Sequence, residues 1–336
     1  MNKRQKQAKA IAQVGAIAAV GTAAVLGAAR WAYSYAFKPT KGRCSNPYQL
    51  IGAQSENYKE DIFDAIKKLE MLPCEWVYTQ SEDCIRLAGR YYHQKDGAPL
   101  VIFFHGYRSP SLRDFSGGFW IYWEQGYNIL IVDQRGHGES QGDTITMGIK
   151  ERHDCVRWVE YAVERFGPEV KILLGGISMG AATVMMAAEL LQDCPNVKCI
   201  LADCGYSSVE GVMKEAIKCM KLPVGPSWKL VKLGAKLYGN FNPDEASAVE
   251  SLRNSRIPVV FIHGEADDRV PAAMSAENAA ACGADRIATF YVPDAEHGMS
   301  FFLDKEGYYE TVVSFVKEML EEETQDAMPI GGCADE

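Results

Sequence analysis

The chain has 336 residues, 47% of them hydrophobic and 24% charged, with a formal net charge of −9. That length suits one large domain or two small ones around a substantial core, and the negative balance argues against nucleic acid as a partner. Ten cysteines are too dilute for a disulfide scaffold, and no Cys-x-x-Cys pair suggests zinc; several lie inside apolar runs, which points to reduced thiols and cytosolic exposure.

In chain order, the first segment stands apart. Lys3, Arg4, Lys6 and Lys9 precede an uncharged run from Ala10 to Ala29, and Arg30, Trp31, Tyr33 and Tyr35 follow. As a helix that run is roughly 30 Å long, about the hydrocarbon thickness of a bilayer. The aromatic residues then sit where an interfacial belt would lie. Residues 1–37 are expected to be an uncleaved single-span membrane anchor. A cleaved secretory signal, which would leave a secreted protein, and a surface helix are the alternatives. Basic residues flank the run on both sides, so its orientation stays open.

Residues 38–73 are expected to be a connector followed by a helix, Asp61–Glu70, with Ile62, Phe63, Ile66 and Leu69 on one face. Two strand-like pieces follow between Cys74 and Tyr92. Short apolar runs then recur at 100–104, 129–132, 170–174, 197–202, 259–262 and 288–292. They do not alternate with polar residues, as strands of a parallel sheet covered on both faces would not. Helical patterns lie between them, the clearest over 148–166, closed by Gly167-Pro168. The expected architecture is α/β, with a mostly parallel central sheet over residues 74–320. The long connection at about 206–254 reads as a helical lid insertion. An acidic tail, 321–336, is expected to be disordered.

Gly176-Ile177-Ser178-Met179-Gly180 lies between an apolar strand and an apolar helix. A sharp strand-to-helix turn strains its central residue, and neighbours two positions away must lack side chains for it to close. The hydroxyl is then presented at a helix N-terminus, where negative charge is favoured. A plain serine N-cap is the alternative. A nucleophilic serine needs a base, and the base needs a carboxylate. Of the six histidines, His297 follows the last strand and precedes the last helix, at the sheet edge that Ser178 occupies. Asp267, after the strand 259–262, is the chosen carboxylate; Glu265 and Asp268 read as solvated loop charges, and Asp203 as an outsider. The order Ser178, Asp267, His297 is that of α/β-hydrolases. The Met179 amide, and an amide from the loop "HGYRSP", namely that of Tyr107, would form the oxyanion hole. The tyrosine ring either walls the acyl pocket or caps the loop.

"FFHGYR", "DQRGHGES", "GGISMGA", "FIHGEADDRVP" and "AEHGMS", in this order from about Cys74 to Met319, resemble the α/β-hydrolase superfamily. "LADCGYSS" with the apolar N-terminus resembles a group of membrane-anchored, Bem46-like serine hydrolases close to the serine aminopeptidase S33 type. The resemblance implies Ser178 as nucleophile, His297 as base, Asp267 as orienting acid and the Tyr107 and Met179 amides as oxyanion donors. It also implies that Asp133, Arg135 and His137 are scaffold. No metal and no dissociable cofactor is called for. The lid interleaves Lys214, Lys218, Lys221, Lys229, Lys232 and Lys236 with apolar residues. It reads as a solvated outer face over an apolar lining, or as a face that touches anionic lipid. The lining favours a hydrophobic ester substrate. A peptidase, amidase or thioesterase is the alternative, and a catalytically idle, membrane-tethered binding protein a remoter one.

Overall fold

Residues of a strand buried on both sides must be apolar throughout, and the apolar runs become the centre of one eight-stranded sheet. The computed structural model describes residues 3–39, 46–50 and 52–326. The strands are β1 (Glu75–Gln80), β2 (Arg86–Tyr92), β3 (Leu100–Phe104), β4 (Asn128–Asp133), β5 (Ile172–Ile177), β6 (Val197–Asp203), β7 (Val259–Gly264) and β8 (Ile287–Val292). Their spatial order is β1-β2-β4-β3-β5-β6-β7-β8. β1 and β2 form an antiparallel hairpin, β2 joins β4 antiparallel, and β3 to β8 are mutually parallel. β3 and β4 are buried at every position, whereas the edge strands β1 and β8 are half exposed.

Alternate residues of one strand serve opposite layers. Ile102 and Phe104 pack with α5 (Glu151–Phe166) and α6 (Met179–Leu191); Val101 and Phe103 pack with α4 (Phe119–Glu124) and α12 (Lys305–Asp326). α6 is buried on nearly all sides, which is why its sequence is apolar all round. The connector carries a 3₁₀ turn, Gln54–Tyr58, and α2 (Lys59–Met71). The acidic tail departs from expectation. α12 continues as helix to Asp326, because glutamates and glutamine propagate a helix once it is anchored; residues 327–336 lie outside the described residues.

The insertion forms α7 (Val209–Cys219), α8 (Val224–Gly234), a π turn (Ala235–Gly239) and α9 (Ala248–Arg253). Ser208 caps α7 by accepting the Gly211 amide at 3.1 Å. Met213, Ile217, Trp228 and Val231 face inward, while Lys214 and Lys218 pair with Glu210 and Glu215 outside. The lysines thus lie on a solvated outer face.

The expected anchor is helical, α1 (Lys3–Phe37). Among the described residues, no helix is long and apolar enough to cross a membrane. The last turns of α1 pack against the lid and bury Ala29, Ala32, Tyr33, Ala36 and Phe37. Close approach needs Gly234 on α8: a Cβ there would lie 2.4 Å from the Ala29 carbonyl oxygen and 2.9 Å from the Tyr33 Cβ. The Tyr33 and Thr144 hydroxyls share a 2.6 Å hydrogen bond, and the Tyr238 hydroxyl donates to the Leu26 carbonyl at 3.2 Å.

Candidate active site

Because β3 to β8 run parallel, their carboxyl ends share one rim, where α/β proteins gather ligand-binding residues. Ser178 follows β5 with φ 55° and ψ −114°, a backbone conformation that L-residues rarely adopt. Both flanking glycines are sterically required. A Cβ on Gly176 would lie 2.3 Å from the Gly180 carbonyl carbon, and one on Gly180 would lie 1.7 Å from the Phe104 carbonyl oxygen. The Ser178 amide donates to the Asp203 carbonyl at 2.8 Å, tying the turn to β6. Ser178 occupies the N-cap position of α6, yet its side chain makes no capping bond. The hydroxyl faces His297 instead.

The structure brings Ser178, His297 and Asp267 into one chain of hydrogen bonds. Ser178 Oγ lies 2.9 Å from His297 Nε2, and His297 Nδ1 lies 2.6 Å from Asp267 Oδ2. The other carboxylate oxygen, Oδ1, accepts the Arg269 and Val270 amides, each at 2.9 Å. His263 Nε2 donates to the Val270 carbonyl at 2.8 Å and lies 3.2 Å from Asp267 Oδ2. Burial pushes the Asp267 carboxyl up, but the bonds from His263 and His297 prevail and hold it well below the usual range. Asp267 is therefore a carboxylate, and His297 Nδ1 carries the proton that it accepts. Nε2 is left as an acceptor for the serine proton.

Asp203, at the end of β6, is a different kind of carboxyl. Burial raises it to about 6, opposed by His263 and by the Tyr308 hydroxyl that donates to it at 3.1 Å. Its Oδ1 and the Nδ1 of His263 are buried without a partner. Cys204 lies within 4.8 Å of ligand atoms of Asp267 and His297, the one trio among the described residues that could hold a metal. Burial keeps its thiol well above the ordinary value. Metal ligation requires thiolate, and the other two groups are bonded to each other, so the trio does not fit a metal.

The loop after β3 runs beside the serine: a Cβ on Gly106 would lie 3.5 Å from the Ser178 Cβ. It is held from several sides. Asp114, in α3 (Ser111–Asp114), accepts the Gly106 amide at 2.7 Å and also bonds the Ser109 hydroxyl. His105 Nε2 accepts the Gln134 amide at 3.0 Å, so its Nδ1 donates to the Gly106 carbonyl. His137 Nε2 accepts the Arg108 amide at 3.0 Å, so its Nδ1 donates to the Arg135 carbonyl. Burial, and the neighbouring His105, press the His137 pKa well below its ordinary value. A neutral ring can keep accepting that amide. Arg135 binds Asp83 and Asp154, and Asp133 binds the Ser111 hydroxyl. The motif "DQRGHGES" is thus a brace for the loop rather than part of the Ser178 chain.

Two cavities meet at Ser178 and His297. The larger, about 850 Å³, is walled by α1 (Trp31, Ala32, Tyr35) and the lid (Met213, Ile217, Leu230). The smaller, about 120 Å³, is lined by Ser55, Ile62, Ser109, Arg113 and Asp114. Tyr107 borders both. Its hydroxyl donates to the Ala36 carbonyl of α1 at 2.8 Å, a bond to another helix rather than a cap on its own loop. Met179 opens α6 directly after the serine and is fully buried. Glu265 and Asp268 are exposed, as expected for loop charges.

Sequence reading missed Arg108, Asp114 and the contribution of α1. Each works through a contact between segments distant in the chain, and no local pattern announces such a contact.

A mostly parallel sheet with a strained serine elbow after β5, and a histidine after β8 bonded to a carboxylate after β7, define the α/β-hydrolase fold. The chain belongs to the prolyl oligopeptidase family, whose sequence model matches residues 113–323; the S33 type suggested by the motifs is not the family matched. It is similar to the uncharacterized protein YqkD of Bacillus subtilis, at 25% identity over 80% of this chain and 87% of that protein. It is also similar to Bem46 of Schizosaccharomyces pombe, at 22% identity over 66% of this chain and 69% of the other. Among solved structures, the esterase Pf2001 of Pyrococcus furiosus shares the fold, with a TM-score of 0.60, 21% identity, and coverage of 84% of this chain and 97% of that one.

Proposed function

We propose that this protein is a serine hydrolase of carboxylic esters with an apolar acyl group. The observation that carries the reading is the Ser178–His297–Asp267 hydrogen-bond chain at the neck of an 850 Å³ apolar cavity. In the proposed reaction His297 Nε2 takes the Ser178 proton as Oγ attacks the ester carbonyl. The Met179 and Tyr107 amides receive the oxyanion. Asp267, a carboxylate with two backbone donors on its far oxygen, stabilises the imidazolium. His297 then protonates the departing alcohol, which leaves toward the smaller cavity. Water, deprotonated by His297, frees the acyl group and restores Ser178.

A series of p-nitrophenyl esters tests this, with Ser178→Ala as the blank. kcat/KM is expected to rise from acetate to medium-chain esters. A preference for acetate, or turnover that persists in Ser178→Ala, contradicts the proposal. Membership of the prolyl oligopeptidase family favours an amide or peptide as the second reading. A matched ester and anilide with the same acyl group separates the two; faster anilide turnover selects the second.

The N-terminal segment is proposed to hold the enzyme at a membrane. Lys3, Arg4, Lys6, Lys9 and Arg30 precede the first acidic residue, Glu56, and Val20, Val25, Leu26, Trp31 and Tyr35 are exposed. The full chain is expected to float with anionic vesicles and resist high-salt extraction. Recovery in the unbound fraction at low salt refutes the idea.

A further inference from the structure

A helix leaves its last carbonyls without intrahelical partners. At the end of α1 the shortage begins at Tyr35, because Pro39 has no N–H to offer it. All four carbonyls from Tyr35 to Lys38 are nevertheless bonded, and the donors come from the hydrolase core. Arg108 Nη2 donates to the Tyr35 carbonyl at 2.7 Å and to the Lys38 carbonyl at 2.6 Å. The Tyr107 hydroxyl donates to the Ala36 carbonyl, and the Ile145 amide to the Phe37 carbonyl at 2.7 Å. The guanidinium also covers the Tyr107 ring, 4.7 Å from its centroid. A cation at the negative end of a helix is well placed electrostatically. Three of these four carbonyls are thus bonded by two successive residues of the loop beside Ser178.

Arg108 itself has φ 51°, a left-handed conformation costly for arginine. Its amide is bonded to His137 from one side and its side chain to α1 from the other. This left-handed residue directly follows Tyr107, whose amide is the proposed second oxyanion donor. α1 in turn packs tightly on the lid at Gly234 and Tyr33, and its Ala32 and Ala36 line the large cavity.

We infer that Arg108 is a positioning residue which, together with the Tyr107 hydroxyl, fastens the oxyanion loop to the carboxyl end of α1, making that helix a working part of the active site. The inference rests on the ester-hydrolase reading for its kinetic consequence, but not for the clamp itself. The loss of one oxyanion donor lowers kcat about 10²–10³-fold, and a displaced donor lowers it less.

The test uses the full chain with Arg108→Met, which keeps an apolar stem, and separately Tyr107→Phe, which removes only the hydroxyl. Wild-type turnover against the Ser178→Ala blank tests the ester reading by itself. Hydrogen exchange of the Gly106, Arg108 and Ser109 amides tests the clamp without any substrate. Exchange there is expected to quicken in Arg108→Met, with the peptide spanning β5 and α6 unchanged. kcat is expected to fall about 10–100-fold in Arg108→Met and less in Tyr107→Phe. Affinity for an alkyl trifluoromethyl ketone, which binds as an oxyanion, is expected to fall in proportion, with KM for the matching ester nearly constant. Arg108→Lys is expected to recover part of the loss. Unchanged exchange at the three amides overturns the clamp. So does a kcat loss that leaves ketone affinity intact, or one that merely follows global unfolding seen by calorimetry.

Discussion

Replacing Ser178 by alanine and by glycine separates the cost of the elbow from the worth of its hydroxyl. At φ 55° and ψ −114° the elbow costs a residue with a side chain about 1–3 kcal/mol. Alanine keeps that strain and loses the bond to His297, worth about 0.5–1.5 kcal/mol. Glycine loses the same bond but releases the strain; against this, its freedom in the unfolded chain costs about 0.5–1 kcal/mol. The glycine variant is therefore expected to be about 1 kcal/mol more stable than the alanine variant, the reverse of the usual order. For a chain of this length that is about 1–2 °C in Tm. Urea unfolding resolves such a gap if both variants share the same m-value. Neither variant is expected to turn over ester. An alanine variant as stable as the glycine one, or more so, would show that the elbow stores no strain and that the glycines flanking it have another cause.

Other substitutions probe separate parts of the site. Gly180→Ala, whose Cβ would fall 1.7 Å from the Phe104 carbonyl oxygen, is expected to lose about 3 kcal/mol or more, or to remain insoluble; a normal melting curve refutes the steric account. In Asp267→Asn the amide oxygen must stay on the Arg269 and Val270 amides, so the NH₂ faces His297 Nδ1 and drives the proton to Nε2. kcat is then expected to fall about 10⁴-fold with little change in KM, read by steady-state kinetics. Burial raises the pKa of Asp203 in the folded chain to about 6, from an ordinary value of 3.8. Its protonated form is thus favoured by folding, and that stabilisation is lost as pH rises from about 4 through 6. Asp203→Asn is expected to raise stability at pH 8 by up to about 3 kcal/mol and to change little at pH 3.5. Equal gains at both pH values, measured by denaturant titration, contradict the burial argument. Ala32→Trp, which fills the wall of the large cavity, is expected to shift preference toward shorter acyl chains, while unchanged chain-length preference places the acyl group elsewhere.

Much of the site is legible in the sequence because its parts sit at strand ends. Continuous apolar runs locate β3 to β8 within a few residues, and parallel strands place whatever follows them on one rim. Ser178, Asp267 and His297 each follow a strand directly, so their assembly needs no knowledge of side-chain packing. The hairpin β1–β2 is legible for a similar reason, since "SEDC" separates two apolar stretches. α1 is not legible in this way. Ala29, Ala32 and Ala36 look the same whether they face lipid or a glycine on α8, and the choice is made by Gly234 and Tyr238 far along the chain. Arg108 is hidden for a related cause. An arginine in an exposed-looking turn gives no sign that it bonds helix carbonyls, and only Pro39, which deprives Tyr35 of a donor, hints that those carbonyls need one.

The most direct measurement is covalent. The purified full-length chain, treated with an alkyl fluorophosphonate, digested with trypsin and analysed by mass spectrometry, should carry one adduct, on Ser178 within residues 172–198. Ser178→Ala should carry none, and His297→Ala should react far more slowly. An adduct at another residue with Ser178 unmodified, or equal labelling rates in wild type and His297→Ala, would contradict the assignment of nucleophile and base.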